Sequence, residues 1–350
     1  MITKIHKVDV LHPDPGIIKE AGEVIKKGGL VAFPTETVYG LGGDALDPGA
    51  AQRIYAAKGR PSDNPLIVHI CETGALKELA AHIPDKAAIL CERFWPGPLT
   101  MIFRKRPVVP DETTGGLDTV AVRMPDNRAA LEFIRAAGGF IAAPSANLSG
   151  RPSPTTAERV LEDMDGRIEL ILDGGSSVIG LESTIVDLTS DTPLILRPGY
   201  VTEGMLKEAV GEALYDPAVF QKPSADTRPR APGMKYRHYA PEGELKIIKG
   251  EEERVISYIR KRCEELKNSG KKAAVIASED TFSRYDAFRV INIGKRSDEE
   301  AIAGGLYESL RQCDDEGVEF IFSEEFMTPR LGTAIMNRLT KAAGYEVIEV

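Results

Sequence analysis

The sequence predicts an α/β fold in two domains. Short apolar runs of strand length alternate with segments of helical periodicity, which is the pattern of helices packed on a sheet. The 350 residues exceed one ordinary domain, since domains contain ~100–200 residues. A proline-rich stretch, residues 216–241, divides the alternating pattern into two parts. The pattern alone leaves open whether the first sheet is parallel or mixed.

The first part begins with a helix. Asp14 and Pro15 are an N-cap and a first helical residue, and Gly28 and Gly29 end the helix. A strand follows at residues 30–33. A second helix opens at Asp47 and runs toward Lys58, and residues 65–70 form the next strand.

Further along, Asp126 is expected to cap a helix that ends near Ala137, and residues 140–143 form a strand. Thr155 and Glu158 have the spacing of a capping box at the start of another helix. Three more strands are expected at residues 170–172, 184–186 and 194–196.

Residues 216–241 contain five prolines and few aliphatic side chains, which favours an extended connector or a functional loop. Beyond it the alternation resumes as a small Rossmann-like parallel domain, in which no Gly-x-Gly-x-x-Gly turn suggests a dinucleotide site. We therefore expect three segments: a catalytic domain in residues 1–215, a linker or lid in residues 216–241, and a carboxyl-terminal domain in residues 242–350. The strands of the last domain are expected at residues 245–248, 273–277 and 318–322, and its helices at 251–267, 297–311 and 333–343.

Composition narrows the class of protein. The formal net charge of -9 argues against binding nucleic acid through overall charge. The amino terminus has no signal-peptide pattern and no stretch has the length of a membrane span, so a cytoplasmic protein is expected. The four cysteines are scattered without a Cys-x-x-Cys pair, which favours buried or partly buried free thiols over a zinc site.

Two segments of the first part suit an anionic ligand, and each has an ordinary alternative. Thr35 and a glycine run at Gly40, Gly42 and Gly43 allow either close backbone approach to a ligand or a tight turn. Lys58 and Arg60 flank Gly59 at the end of a helix. They are either a phosphate grip or cations that favour the helix dipole.

Polar residues also mark the strand regions. His69 and Arg123 lie within apolar strands, and the buried guanidinium needs either an internal carboxylate or a substrate anion as its partner. Ser145, Asn147 and Ser183 accompany strand ends, as does Arg197. In open α/β sheets such loops are favoured ligand positions. The acidic chain thus has four cations near strand ends, which suggests one focused anion-binding cleft. These cations are Lys58, Arg60, Arg123 and Arg197.

These motifs resemble a known family. Lys58-x-Arg60 with Ser145-x-Asn147, preceded by PTETVYGLG, is similar to the YrdC-like domain. The stretches APGMKYRHYAP and RLGTAIMNRLTKAA resemble the longer, two-domain form of that family, threonylcarbamoyl-AMP synthase. The resemblance covers essentially the whole chain and implies a twisted mixed sheet with a concave basic cleft. Where the commonest family wording is PTDT, this chain has Glu36, which keeps the charge and adds one methylene.

The resemblance implies synthesis of threonylcarbamoyl-adenylate from L-threonine, bicarbonate or CO2, and ATP, with release of pyrophosphate. The product would serve the threonylcarbamoyl modification of adenosine 37 in tRNA. The implied threonine contacts are Thr35, His69, Arg123, the carbonyl of Ala143, and Ser183. The implied ATP contacts are Lys58, Arg60, Asn64, Thr119, Ser145, Asn147, Ser153, Arg197 and, as a residue closing over the nucleotide, Tyr236.

We expect Mg²⁺ to arrive with the ATP phosphates, and neither a protein metal cage nor a tightly bound organic cofactor. Further partners would be tRNA or tRNA-modification proteins downstream of the product, and no membrane. Two other functions stay open at this stage. One is a non-catalytic module for double-stranded RNA or tRNA, against which the net charge weighs. The other is carbamoyl transfer of the hydrogenase-maturation type, whose zinc-binding cysteine pairs are absent from the sequence.

Overall fold

The computed structural model describes residues 2–62, 64–223, 229–232 and 238–350. These residues form two compact units. The first holds residues 2–149 and 153–232, as far as they are described. The second holds Gly150–Pro152 and residues 238–350. The predicted α/β class is confirmed, with a large mixed sheet in the first unit and a parallel sheet in the second.

The strands of the first unit are short and most are buried. They are β1 Lys4–Lys7, β2 Val31–Phe33, β3 Gly40–Asp44, β4 Ile67–Ile70, β5 Leu99–Arg104, β6 Thr119–Arg123, β7 Phe140–Ala143, β8 Leu170–Asp173, β9 Thr184–Asp187, β10 Leu194–Arg197 and β11 Leu214–Tyr215. Within the described residues they form one sheet in the order β1-β8-β2-β3-β7-β4-β6-β5-β9-β10-β11. The sheet is mixed, since it contains parallel pairs such as β4–β6 and antiparallel pairs such as β5–β6.

Helices cover the two faces of this sheet unequally. The helices of the first unit are α1 Pro15–Lys26, α2 Pro48–Lys58, α3 Leu76–Leu79, α4 Asp85–Phe94, α5 Asp111–Thr114, α6 Arg128–Ala137, α7 Ala157–Met164 and α8 Glu203–Val210. On one face, α2, α3, α4, α7 and α8 contribute to a large core. On the other, α1 and α6 pack over β2, β7 and β8. A separate, smaller apolar cluster lies on β4, β5, β6, β9 and β10, on the face opposite the large core.

Local sequence explains why the helices begin and end where they do. The Asp14 side chain accepts hydrogen bonds from two amides of the first turn of α1, and Asp47 accepts one at the start of α2. Gly59 ends α2 in the left-handed conformation with φ of 60°, which glycine adopts without strain. Both predicted starts are confirmed. They matter for the site because α2 carries Lys58 in its last turn.

Two predicted helix caps are wrong by one residue. Asn127, and not Asp126, accepts the capping hydrogen bond at the start of α6. Thr156, and not Thr155, caps α7 through the amide of Arg159. In both places two adjacent residues have side chains that can cap a helix.

The glycine run is neither a turn nor a ligand loop. Gly40–Asp44 is strand β3, antiparallel to β2. A methyl group at Gly40 would lie 2.9 Å from the Phe33 ring, and one at Gly42 would lie 2.8 Å from Ile141. The glycines therefore let β3 pack closely against large neighbouring side chains.

The second unit is a five-stranded parallel sheet with helices. Its strands are β12 Glu244–Lys249, β13 Ala273–Ala277, β14 Arg289–Asn292, β15 Phe320–Glu324 and β16 Val347–Glu349, in the order β14-β13-β15-β12-β16. Its helices are α9 Glu252–Asn268, α10 Glu299–Asp315 and α11 Gly332–Ala342. The buried guanidinium of Arg311 donates a 2.7 Å hydrogen bond to the carbonyl of Pro152, within the same unit. No helix in the described part of the chain is both long and apolar enough to cross a membrane.

Candidate functional site

Three polar residues lie side by side on adjacent strands of the first sheet. In register, His69 of β4 faces Arg123 of β6, and Arg123 faces Thr100 of β5. Side chains in register point to the same face of a sheet. All three are buried on the face that carries the smaller apolar cluster of these strands. The sheet therefore brings together two of the predicted threonine contacts, His69 and Arg123.

His69 is held as a neutral imidazole. Burial, and after it the neighbouring Arg123 charge, lower its pKa to about 3. Its Nδ1 lies 3.1 Å from the carbonyl oxygen of Ile67, and the Phe33 ring meets the imidazole edge-on with centroids 5.8 Å apart. A neutral imidazole at this place can hydrogen-bond a polar ligand without adding charge.

Arg123 has an internal carboxylate as its partner. Its Nη2 lies 2.6 Å from Oε1 of Glu36, and only 5% and 10% of the two side chains are exposed. Neither Arg123 Nη2 nor the Glu36 carboxylate oxygens form a hydrogen bond there. The contact is therefore an ion pair in which the carboxylate lies away from the N–H direction. Arg123 Nε also donates a long hydrogen bond, 3.4 Å, to the Gly97 carbonyl. Of the two partners expected from sequence, the internal one is present.

A chain of hydroxyl and guanidinium contacts leads from this point to Arg197. The hydroxyls of Thr100 and Ser183 lie 2.7 Å apart. Arg197 donates from Nη2 to the Ser183 hydroxyl at 3.1 Å and from Nε to the Ser183 carbonyl at 3.0 Å. All three residues are buried. Ser183, a predicted threonine contact, thus touches Arg197, a predicted ATP contact.

The residue before Ser183 ties in another predicted contact. Ser153 donates from its hydroxyl to Oε1 of Glu182 at 2.6 Å, and both residues are buried. Glu182 was not predicted as a site residue. Its position next to Ser183 in the sequence was the available signal.

Lys58 holds the loop that follows β7. Its ammonium donates to the main-chain carbonyls of Ser145, at 2.5 Å, and Asn147, at 2.6 Å. The Ser145 hydroxyl in turn donates to the Asn147 side-chain oxygen. Three predicted ATP contacts are therefore in one cluster, and the buried Lys58 charge lies beside two polar side chains of a loop.

Asn64 precedes strand β4, and Thr119 is the first residue of the neighbouring strand β6. Since Ile67 of β4 is in register with Ala121 of β6, both residues lie toward the amino ends of these parallel strands, away from His69 and Arg123. Thr119 and Arg123 are four residue steps apart along β6, which corresponds to roughly 13 Å. Neither atom of the fully buried Asn64 amide has a hydrogen-bond partner in the part of the chain that is described. Half-buried Arg60 lies on the connection between α2 and Asn64.

The surface of the sheet between the amino ends of β4 and β6 and the position of His69 and Arg123 is apolar. Ile67, Ile102, Ala121, Ile185 and Leu196 form a buried cluster on the same face as Arg123, and Ala231 packs onto it. The next residue, Pro232, accepts a 3.5 Å hydrogen bond from Arg197 through its carbonyl. Two residues of the proline-rich segment, Ala231 and Pro232, therefore contact this face. Tyr236, the predicted nucleotide contact in that segment, lies outside the described residues.

The two remaining predicted threonine contacts are Ala143 and Thr35. Ala143 ends β7 opposite Ile67, and only 2% of it is exposed. Buried Thr35 donates its hydroxyl to the Val38 carbonyl at 2.6 Å and lies 2.8 Å from the Thr37 hydroxyl, so it holds the turn that carries Glu36. Glu36 and Thr100 were not predicted as site residues, although Glu36 stands beside Thr35 in a motif that the sequence singled out.

Neither cysteines nor carboxylates form a metal centre in the described residues. The free thiols are confirmed, since Cys71, Cys263 and Cys313 are buried and Cys91 is half-buried. Among the described side chains, no three His, Cys, Asp or Glu residues come together in a way that could hold a metal ion.

Comparison with known proteins adds independent information. Residues 23–199 match the family model described as "Telomere recombination", and residues 201–344 match one described as "Threonylcarbamoyl-AMP synthase, C-terminal domain". The chain is 50% identical to the threonylcarbamoyl-AMP synthase of Pyrococcus abyssi, over 95% of this chain and 96% of that one. It is 46% identical to the one of Bacillus subtilis, over 99% and 100%. The crystal structure of the Pyrococcus abyssi protein Sua5 complexed with L-threonine is similar with a TM-score of 0.93 and 48% identity. That match covers 99% of this chain and all of the other.

Proposed function

The chain belongs to the family of threonylcarbamoyl-AMP synthases, and on that premise we propose that it joins L-threonine, bicarbonate or CO2, and ATP into threonylcarbamoyl-adenylate and pyrophosphate. The product serves the threonylcarbamoyladenosine modification at position 37 of tRNA. The observation that carries the proposal is the buried polar line from His69 and Arg123, through Thr100 and Ser183, to Arg197.

The threonine end of this line is at Arg123 and His69. Arg123 provides a guanidinium for the amino-acid carboxylate, and neutral His69 provides a hydrogen bond without competing charge. The threonine complex of the Pyrococcus abyssi relative, similar over the whole chain, supports an amino-acid site in this fold. Thr35, Ser183 and the Ala143 carbonyl complete the proposed set of contacts.

The nucleotide end takes the Lys58 cluster, Arg60, Asn64, Thr119, Ser153 and Arg197. A triphosphate brings several negative charges, and these residues offer cations and neutral donors rather than carboxylates. Mg²⁺ enters as part of the Mg·ATP substrate, bound by phosphate oxygens and water. Because Lys58 already donates to two loop carbonyls, its proposed role is to hold the loop and place a charge beside Ser145 and Asn147.

The proposed reaction has two bond-forming steps. The threonine nitrogen attacks the carbon of CO2 and gives a carbamate. A carbamate oxygen then attacks the α-phosphorus of ATP, and the bond to the departing pyrophosphate breaks. No covalent enzyme intermediate is needed, so the residues act by positioning the reactants and by offsetting charge on the phosphates.

The test is threonine-dependent release of pyrophosphate. The full chain is mixed with Mg·ATP and labelled bicarbonate, with and without L-threonine, and the label is sought in an adenylate. We expect label and pyrophosphate only when threonine is present. Absence of both would refute the proposal.

The same assay tests the nucleotide end. Lys58→Ala and Arg60→Ala should each lower turnover, and loss of one preorganised charge contact typically costs ~100–1000-fold. Lys77→Ala, at an exposed lysine of α3, is the matched control and should leave turnover unchanged. Full activity of both site variants would place the nucleotide elsewhere.

A further inference from the structure

Glu36 is a carboxylate in direct contact with Arg123 of the proposed threonine site, and the ion pair leaves it incompletely bonded. Its side chain is nine-tenths buried. Apart from the 2.6 Å contact with Arg123, neither carboxylate oxygen has a hydrogen-bond partner among the described residues. A buried carboxylate ordinarily accepts several hydrogen bonds, because its desolvation is costly. Glu36 thus has capacity for a donor that a ligand would bring.

Charge complementarity identifies the donor. An α-amino acid is a zwitterion whose carboxylate and ammonium are one carbon apart. A side-by-side Arg123 and Glu36 presents the opposite charges in the same arrangement. If only the carboxylate were bound at Arg123, that single cation would face two carboxylates in a buried place. The ammonium of the ligand at Glu36 restores the balance.

We propose that Glu36 receives the ammonium of threonine and takes up the proton that this group must lose before it reacts with CO2. This inference rests on the proposed function. The ammonium nitrogen has no lone pair, so it cannot attack carbon until a proton leaves. Glu36 accepts that proton, and the freed lone pair forms the N–C bond as one C–O double bond of CO2 opens. The nitrogen then gives a second proton to water, which leaves the carbamate anion.

The other charged groups near Glu36 suit this role. Arg123 on β6 is the adjacent cation. His69 on β4 is neutral, because burial and the Arg123 charge lower its pKa to about 3. Asp126, which follows β6, has its pKa raised by burial and then by the Glu36 charge. Glu36 is therefore the one nine-tenths-buried carboxylate in contact with Arg123 in the described structure.

The experiment compares Glu36→Gln with the unaltered chain over a range of pH. Gln keeps the shape of the side chain and cannot take up a proton. General-base contributions are typically ~100–10,000-fold, so we expect kcat/KM for threonine to fall at least ~100-fold at neutral pH. The deficit should shrink as the pH rises toward the pKa of the threonine amine, because the substrate then loses its proton to solvent. A deficit that is the same at every pH, or no deficit, would overturn the inference.

A second readout separates this role from a purely structural one. (R)-3-hydroxybutanoate keeps the carboxylate and hydroxyl of threonine and lacks the amine. If Glu36 acts on the amine, this compound binds Glu36→Gln at least as tightly as it binds the unaltered chain. Weaker binding would show that Glu36 acts only by holding Arg123, and would overturn the inference. ATP affinity, measured alongside, should not change.

Two further variants keep the test decisive. Glu36→Asp retains a carboxylate beside Arg123, and carries the test if Glu36→Gln does not fold. We expect turnover within about ten-fold of the unaltered chain, with a deficit that shrinks as pH rises. A deficit independent of pH would overturn the inference.

Glu132→Gln, on the exposed side of α6 beside Arg135, is the control that should leave turnover unchanged. If the unaltered chain itself shows no threonine-dependent pyrophosphate release, the proposed function fails, and the direct binding of threonine to the Glu36 variants still tests the ammonium contact.

Discussion

Arg123 Nη2 lies 2.6 Å from Glu36 Oε1, and the two side chains are almost completely withdrawn from solvent. Burial of two charges is costly, and replacing such a pair with apolar residues is often neutral or stabilising. The pair is therefore weak evidence for a role in stability. Arg123 lies in register with His69 and Thr100, and this position is better explained by ligand binding.

Arg123→Lys should weaken threonine binding while the fold is retained. Lys keeps a positive charge beside Glu36, so the carboxylate stays paired, but an ammonium cannot bind a carboxylate through two parallel N–H groups. We expect the threonine KM to rise ~10–100-fold, which corresponds to about 1.4–2.8 kcal/mol. Steady-state kinetics at saturating ATP measure the effect.

The matched control is Arg104→Lys. Arg104 lies on neighbouring strand β5 and forms an exposed ion pair with Asp118. Exposed pairs contribute ~0–1 kcal/mol, so both stability and threonine KM should stay close to those of the unaltered chain. An unchanged KM in Arg123→Lys would remove Arg123 from the threonine site.

Asn64→Ala should separate nucleotide binding from stability. The Asn64 amide is buried, and within the described residues it has no hydrogen-bond partner to lose. Removal of an unsatisfied buried polar group costs little stability or even adds some. If ATP supplies the missing partner, its affinity should fall by ~1–3 kcal/mol, about 5- to 150-fold.

Nucleotide titration and thermal unfolding of Asn64→Ala provide the two measurements. Gln52→Ala, which removes an exposed amide from α2, is the control for both. Unchanged ATP affinity together with a large loss of stability would mean that the amide has a structural partner instead.

The sequence predicted most elements of this fold because their signals are local. The caps Asp14 and Asp47, with a proline after each, and Gly59 determine helix boundaries through atoms within one turn. Asn127 and Thr156 were missed by one residue because Asp126 and Thr155 have equally suitable side chains. Strand β3 was missed because its glycines have low strand propensity, and only the packing of Phe33 and Ile141 explains them.

The site was predicted less completely, for a physical reason. Single residues such as His69, Arg123 and Arg197 stand out as polar groups in apolar strands. Their partners do not. Thr100 is an ordinary strand residue until the sheet places it in register with Arg123 and 2.7 Å from the Ser183 hydroxyl. Glu36 stood in a recognised motif, but its contact with Arg123 spans 87 positions of sequence and forms only when the sheet and the turn after β2 are in place.

Gly42→Ala should destabilise the first unit. The added methyl would lie 2.8 Å from Ile141 and 3.1 Å from the Phe33 ring, both in the core beneath α1 and α6. Overpacking of this kind typically costs ~1–3 kcal/mol of unfolding free energy. Urea unfolding measures it. Because Phe33 also contacts His69, a rise in threonine KM should accompany the loss of stability.

Gly74→Ala is the control for added methyl groups. Apart from the adjacent residues of the chain, no atom of the described residues lies within 4 Å of a methyl at Gly74, so stability should be unchanged or slightly higher. Equal stability of Gly42→Ala and the unaltered chain would show that β3 can shift away from its neighbours.

His69 should make the stability of the protein fall in acid over a defined range. Its pKa is lowered from 6.5 to about 3 in the folded state. Above pH 6.5 neither state binds the proton, and the neutral imidazole has no cost. Between pH 6.5 and 3 the unfolded chain binds a proton that the folded chain does not, so unfolding becomes easier by about 1.4 kcal/mol per pH unit.

Urea unfolding of the unaltered chain and of His69→Gln, at a series of pH values, isolates this effect, because other titrating groups contribute to both. We expect the unaltered chain to lose stability more steeply than His69→Gln below pH 6.5. His82→Gln, at an exposed position, should not reduce the slope in the same way. An NMR titration gives a direct check. A His69 imidazole resonance that shifts with a midpoint near 6.5 would contradict both the prediction and the neutral role given to His69 in the threonine site.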